Sequence, residues 1–267
     1  MDDFGDRMKA YEAIETGRTI GAQHPVCVRI DGRAFSTFTR GMRRPFDERM
    51  SAAMINTAKR LVEKTLPRIA YTQSDEISLI YLGAEGAEPM FGGKQHKITS
   101  VLASMAASAF QVEIRRAFGE AGNDMAERLP HFDARTFELP SVSEAANVIL
   151  WRAMDARKNA VSMATRAHYS TKAMHGKDQS DMRSMLAAAN VDFEAYPVHF
   201  KRGTFLRRIL VERLLSTAEI ERIPEKHRPP PYAVVTRTTV AEIDMPSFET
   251  VTNRVAVIFD GAVPLQT

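Results

Sequence analysis

The stretch IAYTQSDEISLIYL, residues 69–82, decides how this chain folds. Apart from Ser78, residues 69–72 and 77–82 are β-branched, aromatic and aliphatic, and the four between them, Gln73-Ser74-Asp75-Glu76, are polar. That pattern predicts a β-hairpin. Upstream, the apolar run at residues 26–30 ends at Asp31-Gly32, a strand entering a turn. Pro45 stands where a helix can start, and residues 46–66 carry Met50, Met54, Ile55, Ala58, Leu61 and Val62 at helical spacing before Pro67 ends it. Downstream come a glycine-rich loop at 83–93, a helical run at 97–118 and a strand at 131–139. The order is β-α-β-β-α-β, so the predicted class is α+β, ferredoxin-like. In that topology the first strand lies beside the hairpin in one antiparallel sheet. Asp31 and Asp75 then meet at one sheet edge.

The second half predicts a helix from residue 143 to about 169, with Ser141 or Ser143 as its cap and Glu144 in its first turn. A shorter helix follows at 178–189, then a strand at 203–212, a proline-rich linker at 224–231 and a strand at 232–239. Trp151 reads as a core anchor.

The 267 residues, 44% hydrophobic, suit one large domain or two small ones. Cys27 is the single cysteine, which excludes an internal disulfide and a cysteine-rich zinc site; it reads as a small buried hydrophobe. The polar N-terminal dozen residues predict no signal peptide, and no apolar run reaches membrane-spanning length, so a cytoplasmic protein with no membrane partner is expected. Net charge is only +3, but basic residues cluster at Arg40/Arg43/Arg44, at Lys94/His96/Lys97, at Arg152/Arg157/Lys158/Arg166 and at Lys201/Arg202/Arg207/Arg208. Such clusters bind phosphates or nucleic-acid backbone, and they are also what solvated helix faces look like.

Two converging carboxylates make a hard-oxygen site suited to Mg²⁺ and a polyphosphate. On that reading Asp31 and Asp75 bridge two metal ions, the Gly32 carbonyl adds a ligand, and backbone N–H groups after Asp31 cradle a triphosphate. The competing reading makes both acids turn formers. Glu76 points away from Asp75 along the strand, so a salt bridge suits it as well as a metal does. Arg29 shares a strand face with Asp31, and Arg44 precedes the helix start; each suits a phosphate or an aspartate. No dinucleotide-binding or P-loop glycine pattern follows a strand.

RIDGRAF (29–35) followed by YTQSDEIS (71–78) resembles the paired signatures of the tRNA-His guanylyltransferase family, nearer its bacterial and archaeal guanylyltransferase-like branch. PFDERM, FGGKQHKITSVLASMAASAF, FDARTFELPS, ILWRAMDARKNAVSMATRAH and FKRGTFL extend the likeness in order. The resemblance implies a polymerase-type palm that extends the 5′ end of tRNA in the 3′–5′ direction. A 5′-monophosphate is first activated with ATP, and the 3′-hydroxyl of GTP then attacks. It implies Asp31, Gly32 and Asp75 as ligands of two Mg²⁺ ions, with Asp31, Asp75 and Glu76 catalytic. Arg29, Gly32, Arg33, Ala34, Phe35, Ser36, Arg44 and Ser74 fall at nucleotide or triphosphate positions, Lys94 and Lys97 in the loop for the activating nucleotide, and Asn159 in a helical signature. A palm-like catalytic region at 1–140, a packed region at 141–228 and a C-terminal extension at 229–267 are expected, assembled as a homotetramer, a dimer of dimers. The helical signature departs from the family at Arg157 and Ala160, and Gly93 replaces a basic-loop arginine. Template-directed 5′-end repair fits these departures. A GTP-only palm cyclase and a non-catalytic nucleotide- or RNA-binding palm are the alternatives.

Overall fold

The computed structural model describes residues 3–83, 86 and 88–266; the predicted loop at 83–93 falls partly outside them. Six strands are present: β1 (Val26–Gly32), β2 (Ile69–Gln73), β3 (Glu76–Tyr81), β4 (Phe132–Glu138), β5 (Thr204–Leu214) and β6 (Val234–Ile243). They form one antiparallel sheet in the order β4-β1-β3-β2-β5-β6. Its first four positions are the predicted ferredoxin-like arrangement. The helices are α1 (Asp3–Thr16), α2 (Phe35–Phe38), α3 (Glu48–Thr65), α4 (Gln95–Phe118), α5 (Glu120–Glu127), α6 (Val142–Arg166), α7 (Thr171–Met174), α8 (Gln179–Ala188), α9 (Val198–Arg202), α10 (Thr217–Glu221) and α11 (Arg254–Phe259).

Strand alternation sorts the core. Val28, Ile30, Ala70, Ile77 and Leu79 face α3 and α4, which contribute Met54, Ala58, Leu61, Leu102 and Phe110. Cys27, Ile69, Tyr71 and Ile80 face the opposite way, against Ala145, Ile149 and Ala153 of α6 and Phe248 and Val257 near the C-terminus. The stripe Ala145, Ala146, Ile149, Ala153, Ala156, Ala160 and Ala164 is buried, and its small side chains let α6 lie close to the sheet. Beyond the sheet edge, Ala160, Val161 and Ala164 pack on Leu186, Phe193 and Phe200. Cys27 is fully buried, as expected, and burial pushes its thiol up to about 12.

Helix α3 starts later than the proline position suggested. Asp47 is its cap, its carboxylate accepting from the Arg49 N–H at 3.0 Å and holding the Arg49 guanidinium at 3.0 and 2.7 Å. Ser141 caps α6 by accepting from the Glu144 N–H at 3.2 Å. Strand β5 is bonded to β2 only through Thr204–Leu206; beyond them it pairs with β6 alone, as a projecting two-stranded ribbon. No helix among the described residues is long and apolar enough to cross a membrane.

Candidate active site

Because Val28 and Ile30 are buried on the α3/α4 side, Arg29 and Asp31 project on the α6 side. Asp31 stands opposite Glu76 of β3 and Asp133 of β4, so three carboxylates form a row across one sheet face. The β2–β3 connection is a two-residue turn, Ser74-Asp75, with Ser74 at φ 55°. The Gly32 N–H donates to the Asp75 carbonyl at 3.0 Å, which pins the turn to the end of β1. Asp31 and Asp75 thereby line one cavity of about 380 Å³, with Glu76, Arg152, Asn159 and Arg166.

Like charges opposite one another in a sheet repel. Burial pushes the Asp31 carboxyl up, and the Asp133 charge adds to it, against Arg29 and Arg152. Burial also raises Asp75, with the Ser74 hydroxyl opposing and Asp31 reinforcing. Glu76 is raised by burial too, but it has a cation of its own. Arg152 Nε donates to Oε1 at 2.7 Å and Nη2 to Oε2 at 2.7 Å, while Nη2 also reaches Asp155 Oδ2 at 3.1 Å. Among the described residues neither Asp31 nor Asp75 has a side-chain cation within 4.0 Å. Two partly buried carboxylates without a cation call for one.

Among the described residues no three His, Cys, Asp or Glu side chains form a metal-binding group. The side-chain donor set is two aspartates, with the Gly32 backbone beside them. That set fits Mg²⁺, which keeps waters and takes further oxygens from substrate phosphates. Gly32 is required for packing as well: a Cβ there would sit 2.5–2.7 Å from the Phe35 ring.

A second cavity, about 400 Å³, adjoins the first and shares Gln73, Ser74, Asp75, Met163 and Arg166 with it. Phe35, Phe46, Met50 and Phe200 give it apolar walls, and Ser36, Arg43 and Arg44 line it as well. Apolar walls with a few cations, in a volume of this size, suit a small polar ligand with an apolar body. The expected backbone cradle is narrower than the sequence suggests. The Gly32 N–H is taken by Asp75 and the Arg33 N–H by the His131 carbonyl at 2.9 Å, so the amides of Ala34, Phe35 and Ser36 are those left without a protein acceptor among the described residues.

Other expected positions lie elsewhere, apart from Asn159, which lines the Asp31/Asp75 cavity. Arg33 and Ala34 line a separate cleft with Arg128 and His131. Lys94 and Lys97 sit at the start of α4, where Gln95 bonds the Thr136 carbonyl, and neither lines the cavity of Asp31 and Asp75. Asn159 Nδ2 lies 3.4 Å from Asp155 Oδ2. Trp151 is not a core anchor. It is 51% exposed, because it lies beside rather than on the buried alanine stripe of α6. Arg152 and Arg166 enter the sequence reading only as members of a basic cluster. A sharper signal was present: Arg152, Asp155, Asn159, Ser162 and Arg166 follow helical spacing and form one polar stripe.

Residues 5–140 match the tRNAHis guanylyltransferase family. A bacterial tRNA-His guanylyltransferase-like protein solved in complex with ATP is similar at TM-score 0.70 and 34% identity, over 77% of this chain and 88% of that one. Another such bacterial protein, solved in complex with GTP, gives TM-score 0.68 and 29% identity over 93% and 94%. The tRNA-His guanylyltransferase of Debaryomyces hansenii is 28% identical over 196 residues, 68% of this chain and 72% of that protein.

Proposed function

Since the chain belongs to the tRNA-His guanylyltransferase family, whose members are nucleotidyltransferases, we propose that it adds nucleotides, GTP favoured, to the 5′ end of tRNA in the 3′–5′ direction, with Mg²⁺ and after ATP-dependent activation. The observation that carries this reading is the division of labour among the acids: Glu76 is neutralised by Arg152, while among the described residues Asp31 and Asp75 have no side-chain cation within 4.0 Å. Asp31, Asp75 and the Gly32 carbonyl would hold the metal. Bound there, Mg²⁺ neutralises charge on the transferred phosphoryl group.

In the first step an oxygen of the RNA 5′-phosphate attacks the α-phosphorus of ATP and pyrophosphate leaves. In the second, the 3′-hydroxyl of GTP attacks the RNA 5′-phosphorus and AMP leaves, so the new end carries the triphosphate of GTP. The chain's part is positioning. The apolar walls at Phe46, Met50 and Phe200 receive a base, and Arg43, Arg44 and Arg166 face the phosphates. Similar bacterial proteins were solved with ATP and with GTP, which supports these as the nucleotides.

The same reading includes a cytoplasmic homotetramer, a dimer of dimers. Neither Lys94 nor Lys97 lines the Asp31 cavity of its own chain, and a phosphate role for them at a neighbouring subunit's site supports assembly. Light scattering on the purified protein measures this. The activity test uses 5′-monophosphorylated, 5′-truncated tRNAs with ATP, GTP and Mg²⁺, with and without a complementary template nucleotide. An adenylylated intermediate and a 5′ extension are expected; absence of both across several tRNAs refutes the proposal.

A further inference from the structure

We propose that Trp151 is a stacking platform for an unpaired base near the 5′ end of the RNA substrate; this rests on the 5′-end reading above. Trp151 is the only tryptophan in the chain. A large aromatic ring 51% exposed beside a carboxylate site is a surface that solvation alone does not favour. Its neighbours are cations. The Arg152 guanidinium lies 4.6 Å from the ring centroid and that of Arg29 lies 5.4 Å from it.

Arg152 is itself held by Glu76 and Asp155, so the ring is positioned by the same network that neutralises Glu76. Arg29 has no carboxylate within 4.0 Å among the described residues, which leaves its charge for a phosphate. It stands two residues from Asp31 on the same strand face, about 7 Å along the strand. Arg135, the β4 partner of Arg29, adds a further cation, with Asp133 at 3.7 Å as its carboxylate neighbour.

An exposed aromatic ring framed by guanidinium groups is how proteins hold single-stranded nucleic acid: bases stack on the ring and phosphates pair with the cations. A base adjoining a phosphate at Asp31 comes within reach of this ring. A second copy of the chain seated on Trp151 is the competing occupant. Arg29 favours RNA, because a guanidinium 5.4 Å from the ring with no carboxylate within 4.0 Å among the described residues suits a phosphate next to a stacked base.

The single tryptophan makes the test direct. Wild type is titrated with a 5′-monophosphorylated tRNA whose first base pair is missing, and separately with ATP or GTP alone, while tryptophan emission is followed. Emission is expected to be quenched by the RNA and to stay nearly constant with nucleotide. Trp151→Ala is expected to raise Kd and KM for that RNA roughly 5- to 150-fold, the range for one lost stacked base, with little change in KM for ATP. Trp151→Phe should restore most of the loss. RNA binding without a change in emission, or an unchanged RNA Kd in Trp151→Ala with an intact melting profile, overturns the platform. So does emission that responds to protein concentration rather than to RNA, which would place the ring between copies. If wild type binds RNA but extends none, the proposed activity fails while quenching and the Trp151→Ala Kd still decide the platform.

Discussion

Replacing Arg152 by Met separates the acids' roles. The guanidinium holds Glu76 at 2.7 Å through two bonds, and the two side chains are only 13% and 14% exposed. Removing one partner of a buried pair typically costs about 3–5 kcal/mol, because the other charge stays buried. The residual exposure here places Arg152→Met at about 3 kcal/mol. For a chain of this size that is a fall in Tm of roughly 6–12 °C. The pH dependence follows from Glu76. Burial already raises its carboxyl, and loss of the Arg152 hydrogen bonds raises it further. A carboxyl raised in the folded state is no burden at low pH, and stability is lost as pH rises through its folded pKa. The deficit of Arg152→Met is therefore expected to be largest near pH 8 and to shrink toward pH 5. Adding Glu76→Gln removes the stranded charge, so the double variant should recover about 2 kcal/mol relative to Arg152→Met. Thermal melts by circular dichroism at both pH values measure all three proteins. A single variant that melts like wild type, or a double variant no better than the single, refutes the assignment of Arg152 as the counter-charge of Glu76.

Asp75→Asn should lower 5′ extension by roughly 10³-fold or more, since several kcal/mol of metal-borne charge stabilisation goes with the ligand. Without metal the same variant should melt no lower than wild type at pH 8, because it removes a carboxylate that burial and Asp31 disfavour. Asp47→Ala is expected to cost about 1–2 kcal/mol at pH 7 through loss of the α3 cap. Its carboxyl is lowered from 3.8 to about 2, with the Arg49 hydrogen bond as the largest cause, so this stabilisation is present above about pH 4 and fades toward pH 2, which acid titration of the two proteins compares. Gly203 has φ 74°, and a Cβ there would meet the Tyr71 ring at 2.6 Å and the Thr72 carbonyl at 2.7 Å. Gly203→Ala should cost about 2–3 kcal/mol in urea melts, from overpacking and left-handed strain together.

Local patterns were enough where one periodicity dominated. The strand run at 26–30, the hairpin at 69–82, the helical stripe of α3 and a serine cap at 141 are legible because neighbouring residues enforce them. The pairing of β5 with β2 and the closing of the sheet by β6 are not, since register between distant strands is set by which faces they share in the core. Trp151 shows the same limit: residue type argued for burial, and its place beside the alanine stripe of α6 put it in solvent.

The chain's own order of elements pointed to Asp31 near the end of the first strand and Asp75 in the hairpin turn beside it, because the connection rules leave few compact arrangements for a β-α-β-β-α-β order. Composition also excluded a disulfide framework. Only the tertiary structure decided which of these acids has a side-chain cation and which do not. That depends on α6 crossing the sheet with Arg152 over Glu76, more than seventy residues away in the chain and set there by small side chains that let the helix approach. Charge pairing at such separation is a property of packing, and packing is where the three neighbouring carboxylates acquire different roles.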